Sequence, residues 1–304
     1  MTLLILLSLF VMSRIGSKLA LGSANFGLDY GIKNDFGKIS SSELSLILSE
    51  AQSAGIEIID TAQAYGDSEK QIGANNNSGF DIVTKIGVGL DKSFQDNCIC
   101  RLVSNSLERL NQSSVYAVML HRPEVLLSEY GNKIVNELED LKAKNVVSKI
   151  GVSIYSPDIL HDISGLMDMD IIQAPFNIFD QRLLVSGWSE KLKDKGIEIH
   201  SRSVFLQGLL LLSRADLPAY FIKNWPDIFI AWFNFVKNSG TDAGTIALSF
   251  ALKQSWVDKV VVGVDSSMHL KNLIEIENSP MPTIFPNLKC DDERLIDPSE
   301  WKFK

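Results

Sequence analysis

The amino-acid sequence predicts an α/β fold of a single domain, a (β/α)8 TIM barrel. Eight short apolar runs rich in Val and Ile alternate with longer amphipathic segments along the 304 residues, as strands and helices do around a parallel sheet. The runs lack strict alternation of apolar and polar residues, which is typical of strands covered on both faces. A doubly wound sheet shares this pattern, but the count of eight favours a closed barrel. So does the absence of a Gly-x-Gly-x-x-Gly turn after the first run.

Each element is predicted from local signals. The strands are the β-branched runs, at residues 18–26, 56–62, 81–86, 115–120, 149–153, 170–174, 197–201 and 259–264. The helices begin at Ser, Asp or Pro, carry an apolar stripe at helical spacing and end near Gly or Asn. They cover residues 40–54, 68–75, 96–110, 132–144, a segment opening at 156–158, 187–195, 242–254 and 268–277. At least one more helix is expected between the seventh and eighth strands.

Three segments are predicted along the chain. Residues 18–278 form the barrel, since no Pro/Gly/Ser linker and no internal repeat divides them. Residues 279–304, rich in Pro and charge, form a tail packed on the barrel. Residues 1–17 start with an apolar stretch that is too short to span a bilayer and lacks the features of a signal peptide. Two interpretations are open for it: a misassigned start, with translation beginning at Met12, or a short apolar arm on the barrel.

Composition excludes several classes of protein. Hydrophobic residues make up 45% of the chain, enough for a large core and too many for a disordered protein. The net charge of −8 and the absence of a basic cluster argue against a nucleic-acid-binding surface. We expect no membrane association and assign no metal ligands. The three cysteines show no pairing pattern and fit a reducing cytoplasm; the oligomeric state is left open.

The chemistry is predicted to centre on Asp60 and Tyr65. A β-branched run ends at Asp60, and Tyr65 follows on the loop above it, with Gly66 allowing a turn and Ser68 placed to cap the next helix. A phenol has an unperturbed pKa of about 10, too high for easy proton transfer at neutral pH without a nearby cation. Such a cation needs an anion to hold it, and Asp60 is the candidate.

Lys85 is the candidate cation. It lies at the end of a predicted strand, where barrel enzymes place their chemistry. Parity along the strands predicts that Asp60, Lys85 and His121 point into the barrel mouth from three successive strands. Singly, each has a structural interpretation: a turn-forming Asp, a solvated Lys, a packed Tyr65 and a hydrogen-bonded histidine. Their joint occurrence favours a catalytic site.

The motifs around these residues resemble the aldo-keto reductase family. Asp-Thr-Ala-x-x-Tyr-Gly-x-Ser-Glu at 60–69, Val-Thr-Lys at 83–85 and Leu-His-Arg-Pro at 120–123 match it. The resemblance extends over residues 21–270. It implies that the catalytic tetrad of the family maps onto four residues: Asp60, Tyr65, Lys85 and His121.

The resemblance also implies a nicotinamide cofactor. Gly-Val-Ser ending at Ser153 is similar to the motif whose serine contacts the nicotinamide carboxamide, and Gln173 is similar to its partner glutamine. Arg202, followed by Ser203, stands where an aromatic residue commonly stacks on the nicotinamide; a guanidinium plane can also stack on a ring. The asparagine that usually follows the serine is replaced by Ile154.

The loop after the eighth strand bears on which form of the cofactor is used. Many members of the family hold the 2′-phosphate of NADPH with basic residues there. Here the expected contacts are Gly263, Asp265 and Ser266, and His269 stands where the usual arginine would align. Lys271 reaches a phosphate only if its side chain turns back. We expect NADPH, with NADH accepted within about tenfold, or ~1.4 kcal/mol.

The predicted function is NAD(P)H-dependent reduction of a small-molecule aldehyde or ketone to an alcohol. Tyr65 donates the proton, Lys85 stabilises the tyrosinate, Asp60 holds Lys85, and His121 aligns the carbonyl. The loops carry no recognisable substrate code, and a polar, sugar-like aldehyde or ketone is expected. Arg-Ser-Val-Phe-Leu-Gln-Gly at 202–208 and Gly-Leu-Asp-Tyr-Gly at 27–31 resemble bacterial members associated with surface-sugar biosynthesis. Two alternatives stay open. One is a lyase using Lys85 as a Schiff-base nucleophile, which Asp60 disfavours by raising the pKa of the lysine. The other is a regulatory or cofactor-binding barrel with little turnover.

Overall fold

The strands close into a barrel. The computed structural model describes residues 16–29, 31–32, 37–75, 79–87 and 97–302. Within these residues the strands are β1 (Leu19–Gly22), β2 (Ile58–Asp60), β3 (Asp81–Ile86), β4 (Val115–Leu120), β5 (Val147–Ser153), β6 (Ile171–Pro175), β7 (Glu198–Arg202) and β8 (Lys259–Gly263). Each pairs in parallel with the next, and β8 pairs with β1, so the sheet closes in chain order. The predicted (β/α)8 barrel is confirmed.

Helices connect the strands and cover the barrel. Over the described residues the α-helices are α1 (Ala24–Gly27), α2 (Ser41–Ser53), α3 (Ser68–Ala74), α4 (Cys98–Leu110), α5 (Gly131–Ala143), α6 (Leu160–Ile163), α7 (Arg182–Val185), α8 (Trp188–Asp194), α9 (Ala219–Asn224), α10 (Pro226–Ser239), α11 (Ala243–Leu252), α12 (Ser267–Asn278) and α13 (Glu293–Ile296). Short 3-10 helices lie at Pro123–Leu127, Pro157–Ile159, Leu206–Leu211 and Pro298–Glu300. The helix predicted from residue 96 is described from Cys98 onward.

The first predicted strand is too long. The apolar run 18–26 suggested one continuous strand, whereas β1 ends at Gly22 and α1 follows at once. The backbone explains the early end. The N–H of Ser23 donates to the carbonyl of Asp60 at 3.0 Å, and the N–H of Phe26 donates back to Ser23 at 3.0 Å. The chain therefore turns as soon as it leaves the sheet, and tertiary contacts override the local strand propensity.

Alternate residues of the strands pack in two separate cores. The barrel interior is filled by one small cluster: Ala20, Ile58, Val83, Ala117, Met119, Ile171 and Val261. Intervening residues such as Leu21 and Ile59 pack under the helices, as the two-residue period of a strand requires. Asp60 lies two residues beyond Ile58 and Lys85 two beyond Val83. Their side chains therefore enter the barrel above the apolar cluster.

The N-terminal end of the barrel is closed by an ionic network. Lys149 donates to the Tyr116 hydroxyl at 2.7 Å and pairs with Glu198, to which Tyr116 also donates at 2.7 Å. The buried ring of His200 places Nε2 2.6 Å from Glu198 Oε1. Burial opposes ionisation of Glu198, but the hydrogen bonds from His200, Lys149 and Tyr116 together lower its pKa to about 2. These contacts lie at the end of the barrel opposite Asp60 and Lys85.

The C-terminal segment, described over residues 279–302, packs against the barrel. The N–H of Cys290 donates to the carbonyl of Phe179 at 2.8 Å. The ring of Trp301 packs edge-on against Phe221, with centroids 5.1 Å apart. These contacts bring the segment against the loop after β6 and against α9.

Residues 1–17, interpreted as an apolar arm or a misassigned start, lie outside the described residues, apart from the last two. Of these, Ser17 donates from its hydroxyl to Glu277 at 2.7 Å, near the end of α12. In the described part of the chain, no helix has the length and apolar character needed to cross a membrane. Over the same residues, no group of three His, Cys, Asp or Glu side chains is placed to hold a metal ion.

Candidate active site

A buried ion pair joins two neighbouring strands at the C-terminal end of the barrel. The ammonium of Lys85 in β3 lies 2.7 and 2.6 Å from the two carboxylate oxygens of Asp60 at the end of β2. It also donates to the carbonyl of Thr61 at 3.1 Å. Lys85 is 1% exposed and Asp60 3%. Three acceptors thus receive the three N–H groups of the ammonium, and they hold it in one orientation.

Burial changes the expected acidity of this lysine. The sequence suggested that an ion pair with Asp60 would raise the pKa of Lys85. In the structure burial is the larger influence and lowers the pKa, while the charge and hydrogen bonds of Asp60 act in the opposite direction. The pairing therefore compensates for desolvation, and the three acceptors around Nζ all bind the protonated form.

Tyr65 lies above this pair on the loop after β2. Its ring centroid is 5.0 Å from Lys85 Nζ, and its N–H donates to the carbonyl of Ala62 at 3.0 Å, closing a turn. Gly66 follows with φ +56°, a conformation that glycine adopts without strain. Burial raises the pKa of Tyr65, Asp60 adds to the rise, and Arg202 opposes it. The hydroxyl is therefore protonated at neutral pH.

Close packing against α1 holds the Tyr65 loop. A Cβ at Gly27 would lie 1.9 Å from the carbonyl oxygen of Tyr65 and 2.4 Å from the N of Ser68, so only glycine fits there. The hydroxyl of Ser68 donates to the side chain of Ser23 at 2.7 Å and lies 3.1 Å from that of Thr61. The prediction that Ser68 caps the next helix is wrong. It is the first residue of α3, and its side chain is a buried anchor.

The glutamate that ends the same motif is also an anchor. Glu69 is 1% exposed and accepts from the Thr84 hydroxyl at 2.6 Å. Arg109 in α4 donates from Nε to its other oxygen at 2.7 Å. Thr84 precedes Lys85 on β3, so the start of α3 is tied to the strand that carries the cation. Sequence reasoning missed these partners, because no local pattern connects residue 69 with residue 109.

His121 completes the group from the fourth strand. The backbone N–H of His121 donates to the carbonyl of Ile86 at 2.8 Å. Its ring meets that of Tyr65 edge-on, with centroids 5.9 Å apart and an angle of 87° between the ring planes. Burial lowers the pKa of His121 to about 4, and the positive charges of Lys85 and Arg202 contribute. The imidazole is therefore neutral at pH 7, with one N–H to donate.

Ser153 and Gln173 lie side by side on β5 and β6. Their Cα atoms are partners in the sheet register, and the Ser153 hydroxyl lies 3.5 Å from Gln173 Oε1. The Nε2 of Gln173 donates to Asp60 Oδ1 at 2.7 Å. This last contact was not predicted. It places the amide that was expected to hold a nicotinamide against the anion that holds Lys85.

Arg202 ends β7 beside these groups. Its guanidinium donates to the carbonyl of Ile154 at 2.9 Å and to the Ser203 hydroxyl at 3.1 Å. It also lies 4.7 Å from the centre of the Tyr155 ring. Ser203 has φ +60°, so the chain turns sharply after the arginine. Both hydrogen bonds of the guanidinium therefore go to uncharged oxygen atoms. The contact of Arg202 with the Tyr155 ring was not predicted from the sequence.

Of the residues predicted in the loop after β8, Asp265 and Ser266 make hydrogen bonds with each other and with His269. Gly263 is exposed, and a Cβ there would meet no atom within 4 Å. Asp265 accepts from the Ser266 hydroxyl at 3.0 Å and lies 3.1 Å from Nδ1 of His269. Ser266 caps α12 by accepting from the N–H of His269 at 3.1 Å.

Comparison with known proteins shows the family. The model of the Aldo/keto reductase family matches residues 18–283. The chain belongs to the aldo-keto reductase family. A curated aldo-keto relative, the D-arabinose 1-dehydrogenase of Saccharomyces cerevisiae, is 25% identical over 279 residues, covering 84% of this chain and 81% of that protein.

Solved structures show that the fold is shared. An aldo-keto reductase of Bacillus halodurans in its holo form is 19% identical with a TM-score of 0.71, covering 92% of this chain and 95% of that one. Its apo form gives a TM-score of 0.70 at 18% identity, with the same coverage.

Aldo-keto reductases generally use nicotinamide cofactors, and the donor set at the barrel mouth fits one. A nicotinamide carboxamide offers one carbonyl oxygen and one NH2 group, which the hydroxyl of Ser153 and the amide of Gln173 complement. Arg202 presents a planar cation beside them. The open space above Gly263 leaves room for a ligand near the backbone. Ser153, Gln173 and Arg202 are the residues that would hold the nicotinamide end.

Proposed function

We propose that this protein reduces the carbonyl group of a small aldehyde or ketone to an alcohol, using a reduced nicotinamide dinucleotide. The observation that carries the proposal is the buried Lys85–Asp60 pair, with the ring of Tyr65 centred 5.0 Å from its ammonium. A phenol, a fixed cation and a neutral imidazole at one barrel mouth form an acid with its electrostatic support. Membership of the aldo-keto reductase family supports the same class of reaction.

Tyr65 is the proposed proton donor. Its hydroxyl is protonated at neutral pH, and burial raises its pKa further, so release of the proton depends on the positive charge of Lys85 beside the ring. When bound, a reduced nicotinamide would supply the hydride for the carbonyl carbon. As the carbonyl oxygen gains charge, the proton moves to it from Tyr65 Oη, and the alcohol forms. The tyrosinate that remains is stabilised by the positive charge of Lys85, which Asp60 keeps in place.

His121 is the proposed aligning group. Its neutral ring at pH 7 donates one N–H to the carbonyl oxygen without competing to protonate it. Its ring meets that of Tyr65 edge-on, so both groups lie at the barrel mouth, where a positioned substrate would meet them.

The lyase alternative is disfavoured by the contacts of Lys85. A Schiff-base nucleophile needs a free lone pair on Nζ. Here two carboxylate oxygens and the carbonyl of Thr61 accept from Nζ, and the side chain is 1% exposed. The alternative of a cofactor-binding barrel with little turnover is decided by experiment.

The proposed substrate is sugar-like, and NADPH is the cofactor expected from the family resemblance. The relative from Saccharomyces cerevisiae is described as a D-arabinose 1-dehydrogenase, which supports a sugar as the substrate. We place the protein in the cytoplasm, where its free thiols stay reduced. These are Cys98, Cys100 and Cys290.

The test follows oxidation of NADH and NADPH with a panel of aldoses, ketoses and simple aldehydes. Wild-type protein is expected to turn over at least one aldose. Tyr65→Phe keeps the ring and removes the proton, so kcat should fall by about 10²–10⁴-fold, with cofactor binding unchanged by fluorescence. Tyr220→Phe, in α9, is the matched control. Near-wild-type turnover in Tyr65→Phe would refute the mechanism, and cofactor binding without turnover on any compound would favour the regulatory alternative.

A further inference from the structure

The loop between β8 and α12 leads into a helix N-terminus at the C-terminal end of the barrel. Barrels often bind phosphate at such positions after strands 7 and 8. The first N–H groups of a helix have no partner within it, and the helix dipole favours an anion there. In the proposed function, this is the position at which a 2′-phosphate would distinguish NADP(H) from NAD(H).

A carboxylate of the chain itself occupies that helix end. The N–H of Ser267, the first residue of α12, donates to Glu43 Oε1 at 2.6 Å. Glu43 belongs to the first turn of α2, and its own N–H donates to the Ser40 hydroxyl at 3.2 Å. The backbone N–H of Ser267, followed by its hydroxyl, lowers the pKa of Glu43. The carboxylate is therefore ionised at neutral pH, and it joins the N-termini of two packed helices.

The other donors of this loop also contact internal acceptors. The Ser266 hydroxyl donates to Asp265 at 3.0 Å, and Nδ1 of His269 lies 3.1 Å from the same carboxylate. The hydrogen bond with His269 lowers the pKa of Asp265, so it too carries a negative charge. Lys271, the cation expected to reach a phosphate by turning back, pairs instead with Glu50 at 3.5 Å.

We propose that Glu43 selects NAD(H) over NADP(H), because its carboxylate occupies the N-terminus of α12 and excludes the 2′-phosphate of NADP(H) from it. The inference rests on the proposed function and reverses the order expected from the family resemblance. A phosphate monoester carries about −1.5 to −2 charges. To bind here it must displace Glu43 from Ser267 and lie beside Asp265. A ribose 2′-hydroxyl carries no charge and donates a hydrogen bond to a carboxylate, as acidic residues accept from NAD in other folds.

Binding of the oxidised cofactors, measured by calorimetry, tests the proposal without turnover. Wild-type protein is expected to bind NAD⁺ at least about tenfold more tightly than NADP⁺. Glu43→Gln keeps the shape and removes the charge. It is expected to tighten NADP⁺ binding about tenfold and to leave the Kd of NAD⁺ within about twofold. Glu275→Gln removes the same charge from an exposed position further along α12, and both Kd values should match wild type.

The outcomes separate this proposal from the proposed function. Failure of wild-type protein to bind either cofactor overturns the function. NADP⁺ binding as tight as NAD⁺ binding overturns the selection by Glu43 and leaves the function standing. Equal responses of both cofactors to Glu43→Gln also overturn the selection. If thermal unfolding shows that Glu43→Gln is unstable, Glu43→Ser is measured in its place. If neither variant folds, the ratio of the wild-type Kd values for NADP⁺ and NAD⁺ decides whether the protein prefers NAD⁺.

Discussion

Gln173 donates a hydrogen bond to Asp60 across the interior of the barrel, with 2.7 Å between Nε2 and Oδ1. The two residues come from β6 and β2, on opposite sides of the eight-stranded ring, and both are buried. Asp60 thus accepts from Lys85 on a neighbouring strand and from Gln173 on a distant one. Its carboxylate is fixed from two directions, and through it the ammonium of Lys85 is fixed as well.

Gln173→Leu should therefore affect both stability and catalysis. A hydrogen bond to a charged group contributes about 1.5–3 kcal/mol, so the free energy of unfolding should fall by about 2 kcal/mol in urea titrations. We also expect kcat to fall roughly tenfold, because Asp60 loses part of its restraint. Ser153→Ala, which removes the 3.5 Å contact to Oε1, is the matched variant for stability and should lower the free energy of unfolding less. An unchanged urea midpoint in Gln173→Leu would show that the hydrogen bond to Asp60 contributes nothing.

The Asp60–Lys85 pair should behave as one unit. Removing one partner of a buried ion pair leaves an uncompensated charge and typically costs about 3–5 kcal/mol. Lys85→Met should therefore destabilise strongly and abolish most of the turnover. Adding Asp60→Asn to it should cost little further kcat/KM and should recover part of the stability. The measurement is a double-mutant cycle in kcat/KM and in unfolding free energy, and multiplicative losses in kcat/KM would show that the two residues act independently.

Strand parity explains why the central residues could be located from sequence. An apolar run that ends in a polar residue fixes which side chains enter the barrel, so the positions of Asp60 and Lys85 followed from Ile58 and Val83 two residues earlier. The count of eight strands, with no Gly-x-Gly-x-x-Gly turn after the first, was sufficient to predict the closed barrel. The catalytic roles of these residues stay predictions until the variants are measured.

Contacts between distant loops could not be predicted. Ser68 was interpreted as a helix cap because a serine before a helical segment usually is one, whereas its hydroxyl bonds to Ser23, 45 positions away. The contact of Glu43 with Ser267 joins residues 224 positions apart. Such contacts depend on how two helices pack around the closed barrel, and no periodicity in a single sequence records that.

Gly27→Ala should disable the site without changing any polar group. Its Cβ would lie 1.9 Å from the carbonyl oxygen of Tyr65, so the loop carrying the proton donor must move. Overpacking of this kind costs about 1–3 kcal/mol, and a displaced acid lowers kcat by about 10²-fold. Gly165→Ala is the matched control, because a Cβ there meets nothing within 4 Å; it should keep full activity. Equal activity of the two variants would show that the contact between α1 and the Tyr65 loop is not needed.

His121 should make stability depend on pH on the acid side. Burial lowers its pKa from 6.5 to about 4, so between these values the unfolded chain binds a proton that the folded protein excludes. The stability from this group is therefore complete above pH 6.5 and is lost as the pH falls toward 4. In His121→Asn that contribution is absent. The difference in unfolding free energy between about pH 7.5 and about pH 5 should be smaller in the variant, by on the order of 1 kcal/mol.

The same shift predicts the pH dependence of catalysis. Because the ring stays neutral down to about pH 4, protonation of His121 should not limit kcat/KM at neutral pH. His121→Asn keeps a side-chain N–H donor, so it should lower kcat/KM by a similar factor at every pH from about 6 to 8. The contrary result is that the factor by which His121→Asn lowers kcat/KM changes steeply with pH, with a midpoint near 6.5, the ordinary pKa of histidine. That result would show that the ring is solvated in solution. It would then carry a charge in part of that range, and the assignment of His121 as a neutral donor would be wrong.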